Sequence, residues 1–426
     1  MKSCGLARRD SSNTNFSMNR RYLSALFCLL PILPAAAEEN WPQFRGPLGT
    51  GHSNDAEVPT EWESSNVAWK TELKGNGQSS VVNWGGKLFL TSANADGGER
   101  YVHCLDRTTG KILWEETITC SKPGEAHKMN SFATPSCVTD GKNVVAFFGE
   151  GGIHCFDLEG NKKWSTNLGD FPGSWGIAAS PILVGGAIVQ NCDSVGASRI
   201  VALQPDTGEI MWSTDREEMP RGGWSTPILV EAGGNTELVL NGEFGVNAYD
   251  PKSGKDLWFC KAFNGRGSPM PDFANGLLYV VNGKPGDTYV VKPGGKGDVT
   301  ETNMVWHGKR NGGRDLPGPA AVGDYVLISS MSGVITCYDA KSGEEIYADR
   351  LGEPFPVSAS PLVANGLVYF TSEAGETVVV KPGKELEIIS RNPIGAKSGE
   401  IFRATLSPIQ GHIFTRSQNV VYCIGK

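Results

Sequence analysis

Few of the signatures that announce a catalytic site occur in this chain. There are 6 histidines in 426 residues, and none stands in an HExxH or other metal-ligand spacing. No CxxC pair and no Cys/His pattern for zinc is present, and neither is a haem CxxCH. GxSxG, the P-loop glycine pattern and the dinucleotide fingerprint are missing too. Together these absences leave no recognisable catalytic set. Basic surplus is also lacking: the formal net charge is -7, which argues against nucleic acid or an anionic membrane surface as a general partner. Outside the first forty residues no apolar run is long enough to span a membrane.

The apolar run near the N-terminus reads as an export signal. Arg20 and Arg21 precede an apolar stretch from Tyr22 to Pro34, and Ala35-Ala36-Ala37 offers a small-residue cleavage site. Residues 1–37 are therefore expected to be a signal peptide, with Met18 as a second candidate start, and the mature chain to act in the periplasm or at the cell exterior. Removing residues 1–37 takes away five basic groups and one acid, so the mature chain is more acidic still. Export permits disulfides. Four of the ten cysteines, Cys120, Cys137, Cys192 and Cys260, lie outside both the leader and the repeat described next, and their pairing is open.

What is abundant is glycine, 54 residues of it, and a repeat that uses it. CLDRTTGKILW (104–114), CFDLEGNKKW (155–164), ALQPDTGEIMW (202–212), AYDPKSGKDLW (248–258) and CYDAKSGEEIY (337–347) are copies of one unit. The aromatic residue falls at Trp69, Trp114, Trp164, Trp212, Trp258, Trp306 and Tyr347, in steps of 41 to 50 residues. A period in the forties, carried by short β-branched runs between glycine turns, is that of a propeller blade. Within a unit the Asp accepts turn amides and the Gly takes the left-handed position. The strand that follows is outermost, and its aromatic ring is expected to lie over the neighbouring blade. Two residues before the Asp stands a small residue (Cys104, Cys155, Ala202, Ala248, Cys337, Cys423), which reads as a tight packing slot.

Eight units begin near Ser80, Pro135, Pro181, Pro227, Pro269, Pro319, Pro361 and Thr405. The last has only three strands, and the run NVAWKTEL (66–73) would supply its fourth. The expected fold is all-β: an eight-bladed propeller of four-stranded antiparallel blades over 65–426, the ring closed by an N-terminal strand. Residues 38–64 are expected as a lead-in, packed outside the ring or across one end. His103 and His154 each precede a slot Cys in adjacent blades, a placement expected of packing residues rather than a metal pair.

The A-x-D-x-x-[TS]-G-x-x-x-W units resemble the pyrroloquinoline quinone (PQQ)-like repeat, in which the Trp is termed the docking tryptophan. WPQFRGPLGTG (41–51), HKMNSFATPSCVTDG (127–141) and GGWSTPILV (222–230) are similar to segments of exported bacterial proteins of this kind. The resemblance implies two directions. Quinoprotein dehydrogenases hold PQQ and calcium above the channel and oxidise alcohols or sugars. The propeller lipoprotein of the outer-membrane protein assembly machine is a scaffold without cofactor. The chain departs from the first in having no adjacent Cys-Cys pair, and from the second in lacking the lipid-anchor Cys.

One face of such a ring collects the loops that enter the innermost strands. Those loops carry His127, Lys128, Asn130, Trp175, Arg221, Trp224, Arg266, Arg314 and Arg403, which are the candidate ligand-binding residues. Arg offers a planar fork for carboxylates and Trp a stacking plate. Acids lie on neighbouring loops, among them Glu150, Asp193, Glu243, Asp287 and Glu373, and could instead pair with the arginines and tie blades together. Glu243, Asn130 and Asp315 are oxygen donors of a type that ligates calcium. The chain thus reads as an exported, monomeric ring that binds a protein, a glycan or a small anionic ligand. This reading expects no catalytic residue and no cofactor. Its alternatives are a PQQ- and calcium-dependent oxidoreductase and an outer-membrane protein assembly factor.

Overall fold

The computed structural model describes residues 40–216, 220–262, 266–284, 286–309 and 316–425. The expected signal peptide, and Arg314 and Asp315, lie outside the described residues. Eight antiparallel four-stranded sheets follow one another along the chain. Blade 1 runs from Val82–Trp84 to Ile112–Thr119, blade 2 from Val138–Thr139 to Lys162–Thr166, and blade 3 from Ile182–Val184 to Ile210–Arg216. Blades 4 to 7 begin at Ile228–Ala232, Asp272–Ala274, Ala320–Val322 and Leu362–Ala364. Blade 8 holds Ser407–Ile409, His412–Arg416 and Val420–Ile424, with Val67–Glu72 paired antiparallel to the last of these. Two sheets exceed the expected four strands. His52–Ser53 adds in parallel to the inner edge of blade 7, and Gly297–Asp298 to the outer edge of blade 4. No helix among the described residues is long and apolar enough to cross a membrane.

The repeated residues explain how blades dock. Asp106 accepts hydrogen bonds from the Thr109 hydroxyl at 2.8 Å and from the Thr109 and Thr108 amides at 2.8 and 3.1 Å, which builds the turn and holds its carboxyl below the usual range. The turn glycine then lies under the ring of the preceding blade. A Cβ at Gly110 would stand 2.4 Å from Trp69, one at Gly160 2.9 Å from Trp114, and one at Gly208 2.4 Å from Trp164. Gly254 and Gly343 meet Trp212 and Trp306 in the same way. The indole N–H of Trp69, Trp114, Trp164 and Trp306 donates to a carbonyl of the same neighbouring turn. Trp258 and Tyr347 differ, because the next blades carry no Asp-x-x-[TS]-Gly turn for them to cover. Trp258 donates instead to Glu237 within its own blade, at 2.7 Å.

The small slot is explained by the same ring. Cys104, Cys155, Ala202, Ala248, Cys337 and Cys423 are the cross-strand partners of Trp114, Trp164, Trp212, Trp258, Tyr347 and Trp69. A larger side chain would compete with the plate for the same space. In every blade the outer strand pair shifts register at the docking residue or within a residue of it, a β-bulge that bends the strand outward. All eight cysteines among the described residues are buried and free, so Cys120, Cys137, Cys192 and Cys260 form no disulfide.

The lead-in crosses one end of the ring and touches every blade. The Trp41 backbone pairs with Asn83, the Pro42 carbonyl accepts from Thr139, and the Gln43 side chain accepts from the Leu183 amide. Gly49 packs on Ile228, His52 reaches Asp272 at 3.0 Å, and Arg45 fills the space beside Gly318. The Gly51 carbonyl accepts from Val363, and Asp55 accepts from Gly411 at 2.8 Å. Residues 41–55 thus plug the channel at the end where the innermost strands finish.

Candidate functional site

At the opposite end the innermost strands begin, and a girdle of hydroxyls lines the channel there. The residue two positions before each innermost strand is Ser80, Ser136, Ser180, Thr226, Met270, Gly318, Ser360 and Thr405 in turn. The Thr405 amide donates to Ser80 Oγ, the Ser80 amide to Ser136, the Ser136 amide to Ser180, and the Ser180 amide to Thr226, all at 2.8 to 3.0 Å. The Gly318 amide donates to Ser360 in the same manner at 3.0 Å. These hydroxyls satisfy buried amides of the adjacent blade, which accounts for the recurring Ser-Pro and Thr-Pro pairs without any nucleophilic role. Blades 5 and 6 break the girdle with Met270 and Gly318. That break is where the plug enters.

Above the girdle is a cavity of about 180 Å³. His127, Asn130, Trp175, Trp224, Arg266 and Arg403 of the expected set line it. The remaining walls include Phe44 of the plug, Met129, Met270, Leu316 and the girdle residues Ser80, Ser180, Ser360 and Thr405. The Arg266 guanidinium lies 4.5 Å from the Trp175 ring, and the His127 ring 4.1 Å from it. Asn130 donates to the Trp175 and Ile177 carbonyls at 2.8 and 3.1 Å, and so fixes the loop that carries Trp175. Trp224 steadies the same loop by donating to the Gly176 carbonyl at 2.9 Å.

Two expected residues stand elsewhere. Arg221 does not line the cavity: its side chain is 53% exposed and its Nη2 binds Glu243 at 2.6 Å, while its backbone N–H donates to the other Glu243 oxygen. Lys128 is exposed beside the rim, where its carbonyl lies 3.5 Å from the Arg403 guanidinium. Arg403 itself donates to Glu373 at 2.8 Å, so pairing with neighbouring acids accounts for Arg221 and Arg403. His103 and His154 are buried packing residues, bonded to Ser92 and to Ser165 and Gly151. Sequence reasoning missed Phe44, Met270 and the girdle. Aligning the position two before each innermost strand would have found the girdle and its two exceptions.

Known proteins fall in with this geometry. A family model described as "Outer membrane protein assembly factor BamB", built on the PQQ-like repeat, matches residues 55–191, 196–312 and 297–386. The chain belongs to this family.

Two curated relatives of this PQQ-repeat propeller point different ways. It is 25% identical over 394 residues to a polyvinylalcohol dehydrogenase of a Pseudomonas species, covering 74% of this chain but only 59% of that protein. It is 26% identical over 317 residues to the outer membrane protein assembly factor BamB of Burkholderia pseudomallei, covering 72% of this chain and 74% of that one. Among solved structures, a quinohemoprotein alcohol dehydrogenase from Pseudomonas putida HK5 superposes with a TM-score of 0.61 at 12% identity, over 91% of this chain and 80% of that one. At that identity the likeness shows the fold alone.

The resemblance to quinoprotein dehydrogenases raises PQQ and calcium, and the two expected calcium donors among the described residues, Glu243 and Asn130, do not fit the ion. Both Glu243 oxygens are taken by Arg221. Asn130 Oδ1 accepts from the Ser131 amide at 3.0 Å and from the Thr134 hydroxyl. No group of three or more His, Cys, Asp or Glu that could hold a metal occurs among the described residues. Calcium takes six to eight oxygens, and these two side chains already spend theirs within the protein.

Proposed function

We propose that this PQQ-repeat propeller is an exported binding or scaffold module, without chemistry of its own, whose channel mouth holds a small anionic ligand. The observation that carries this reading is the lining of the mouth. Two guanidiniums line it, Arg266 against Trp175 and Arg403 paired with Glu373, and no carboxylate lines it among the described residues. The leader-like residues 20–37 support a periplasmic or extracellular location. The membership in a family described as assembly factors supports a scaffold, with a protein as a second partner class.

A second reading, a PQQ-dependent oxidoreductase of alcohols or sugars, is favoured by the polyvinylalcohol dehydrogenase relative. Calorimetric titration of PQQ into the purified protein, with and without calcium, separates the two. Saturable calcium-dependent binding near one equivalent, followed by dye-linked oxidation of alcohols, would overturn the binding-module reading. Absence of both supports it, and a search for protein partners of the mouth face then follows.

A further inference from the structure

The girdle hydroxyls carry protons that the ring does not use. Ser180 Oγ accepts the Ser136 amide at 2.9 Å, and Ser360 Oγ accepts the Gly318 amide at 3.0 Å. A hydroxyl held as an acceptor keeps one O–H to donate and a second lone pair. Neither O–H meets an acceptor among the described residues, and both side chains line the mouth cavity. Ser80 and Thr405 bond to each other at 2.8 Å, which leaves one more O–H on the same lining. Ser180 is only 2% exposed, so the cavity, not bulk water, is the space its side chain borders. Donors placed there call for acceptors on whatever fills the cavity.

The lining is also two-sided. Ser80, Ser180 and Thr405 belong to blades 1, 3 and 8. Across the ring, where blades 5 and 6 break the girdle, the wall is Met270 and Leu316, with Phe44 of the plug packed on the same apolar cluster as Met270. A hydroxyl wall therefore faces an apolar one. Arg266 lines the same cavity with its guanidinium 4.5 Å from the Trp175 ring, a stacking that orients its planar fork. At about 180 Å³ the space is smaller than the roughly 300–1,000 Å³ of pockets for drug-sized ligands, which limits the occupant to a single small ring or a short chain.

A simple aliphatic acid would leave the hydroxyl wall unmatched, and a neutral sugar would leave the guanidinium unmatched. We infer that the mouth binds a sugar acid, a pyranose ring bearing one carboxylate. The carboxylate sits on Arg266, the ring hydroxyls on Ser180, Ser360 and the Ser80–Thr405 pair, and the C–H face on the apolar wall. The ring hydroxyls accept the spare protons and donate to the second lone pairs of the same serines. This rests on the reading of the mouth as an anion site and names its ligand class.

The test is calorimetric titration of the purified protein with D-glucuronate, D-galacturonate, D-glucose and acetate. At least one of the two uronates should bind saturably. Glucose should bind about tenfold or more weaker, for want of the charge-assisted pair, and acetate likewise, for want of the ring. Arg266→Gln should weaken the uronate by about tenfold or more. Ser360→Ala should weaken it by about two- to tenfold and leave acetate unchanged. Thermal unfolding tells whether Ser360→Ala folds without its bond to the Gly318 amide; if it does not, Arg266→Gln and the glucose and acetate comparisons decide. The proposal is overturned if neither uronate binds saturably, if glucose or acetate binds as well, or if Arg266→Gln changes nothing. If acetate equals the uronate and Arg266→Gln weakens both, the anion-site reading survives and the sugar acid falls. If no anion binds, both fall.

Discussion

Gly208 and Gly276 share one backbone conformation, with φ +73° at each, and differ in what lies beyond the missing side chain. A Cβ at Gly208 would stand 2.4 Å from Trp164 Cε3, whereas at Gly276 nothing lies within 4 Å. Alanine at either site pays the left-handed penalty, about 1–2 kcal/mol. At Gly208 it must also displace the docking ring, an overpacking cost of about 1–3 kcal/mol more. Gly208→Ala is therefore expected to destabilise by about 2–5 kcal/mol and Gly276→Ala by about 1–2 kcal/mol. Urea unfolding followed by circular dichroism measures both, with slopes compared to check that the transition keeps its character. Equal midpoint shifts would mean that the Trp plate does not clamp the next blade's turn, and the docking argument would fail for the whole ring.

Three further outcomes follow from single contacts. Trp164→Phe loses an indole bond to the Pro205 carbonyl at 2.8 Å, whereas the Trp212 indole N–H has no partner among the described residues; Trp164→Phe should cost about 1 kcal/mol more than Trp212→Phe in urea midpoints. His154 donates through Nε2 to the Gly151 carbonyl at 2.7 Å, and burial pushes its pKa from 6.5 down to about 4. Below pH 6.5 the unfolded chain takes a proton that the native His154 refuses, so stability falls as pH drops towards 4 and levels off beneath it. His154→Gln should flatten that slope in midpoints measured across this range. Trp41→Ala, at a fully buried ring that packs over Gly46 in the plug, should cost about 3–5 kcal/mol and make residues 40–55 accessible to limited proteolysis.

The blade architecture was legible because each blade solves the same local problem with the same residues. Asp106 and Gly110 make a turn, Trp114 covers the next turn, and Cys104 stays small beside Trp114. Those constraints act over ten residues, within reach of a repeat read by eye. The plug was not legible, since its contacts join Trp41 to Asn83 and Asp55 to Gly411, across up to 356 positions with no periodic trace. Arg221 misled for a related reason. It has the chemistry of a ligand residue, but the loop carrying Glu243 brings a carboxylate to it, and sequence order gives no hint of which arginine will be matched. Arg266 and Arg403 looked no different in the chain, and both line the cavity.

A repeat fold makes its blades alike, so a site that discriminates must come from where they are unlike. Six of the eight girdle positions carry a hydroxyl, and that uniformity is structural, because amide-to-hydroxyl links satisfy buried N–H groups between blades. Met270 and Gly318 give up that role in neighbouring blades. What they admit is the plug: Gly49 lies 3.7 Å, by its Cβ position, from Met270 Cε, and Arg45 takes the space at Gly318. The loss of two girdle hydroxyls is thus compensated by a segment that closes the channel and sets a buried charge under its floor. An open ring would present a through-channel with equivalent walls; this one presents a blind cavity with a direction. Gly318→Ser tests that logic directly. It restores the hydroxyl found in six blades, yet its Cβ would lie 2.5 Å from Arg45 Nη1, so the variant closest to the repeat consensus should be the less stable protein in urea. A neutral or stabilising result would show that the gap in the girdle is not what seats the plug.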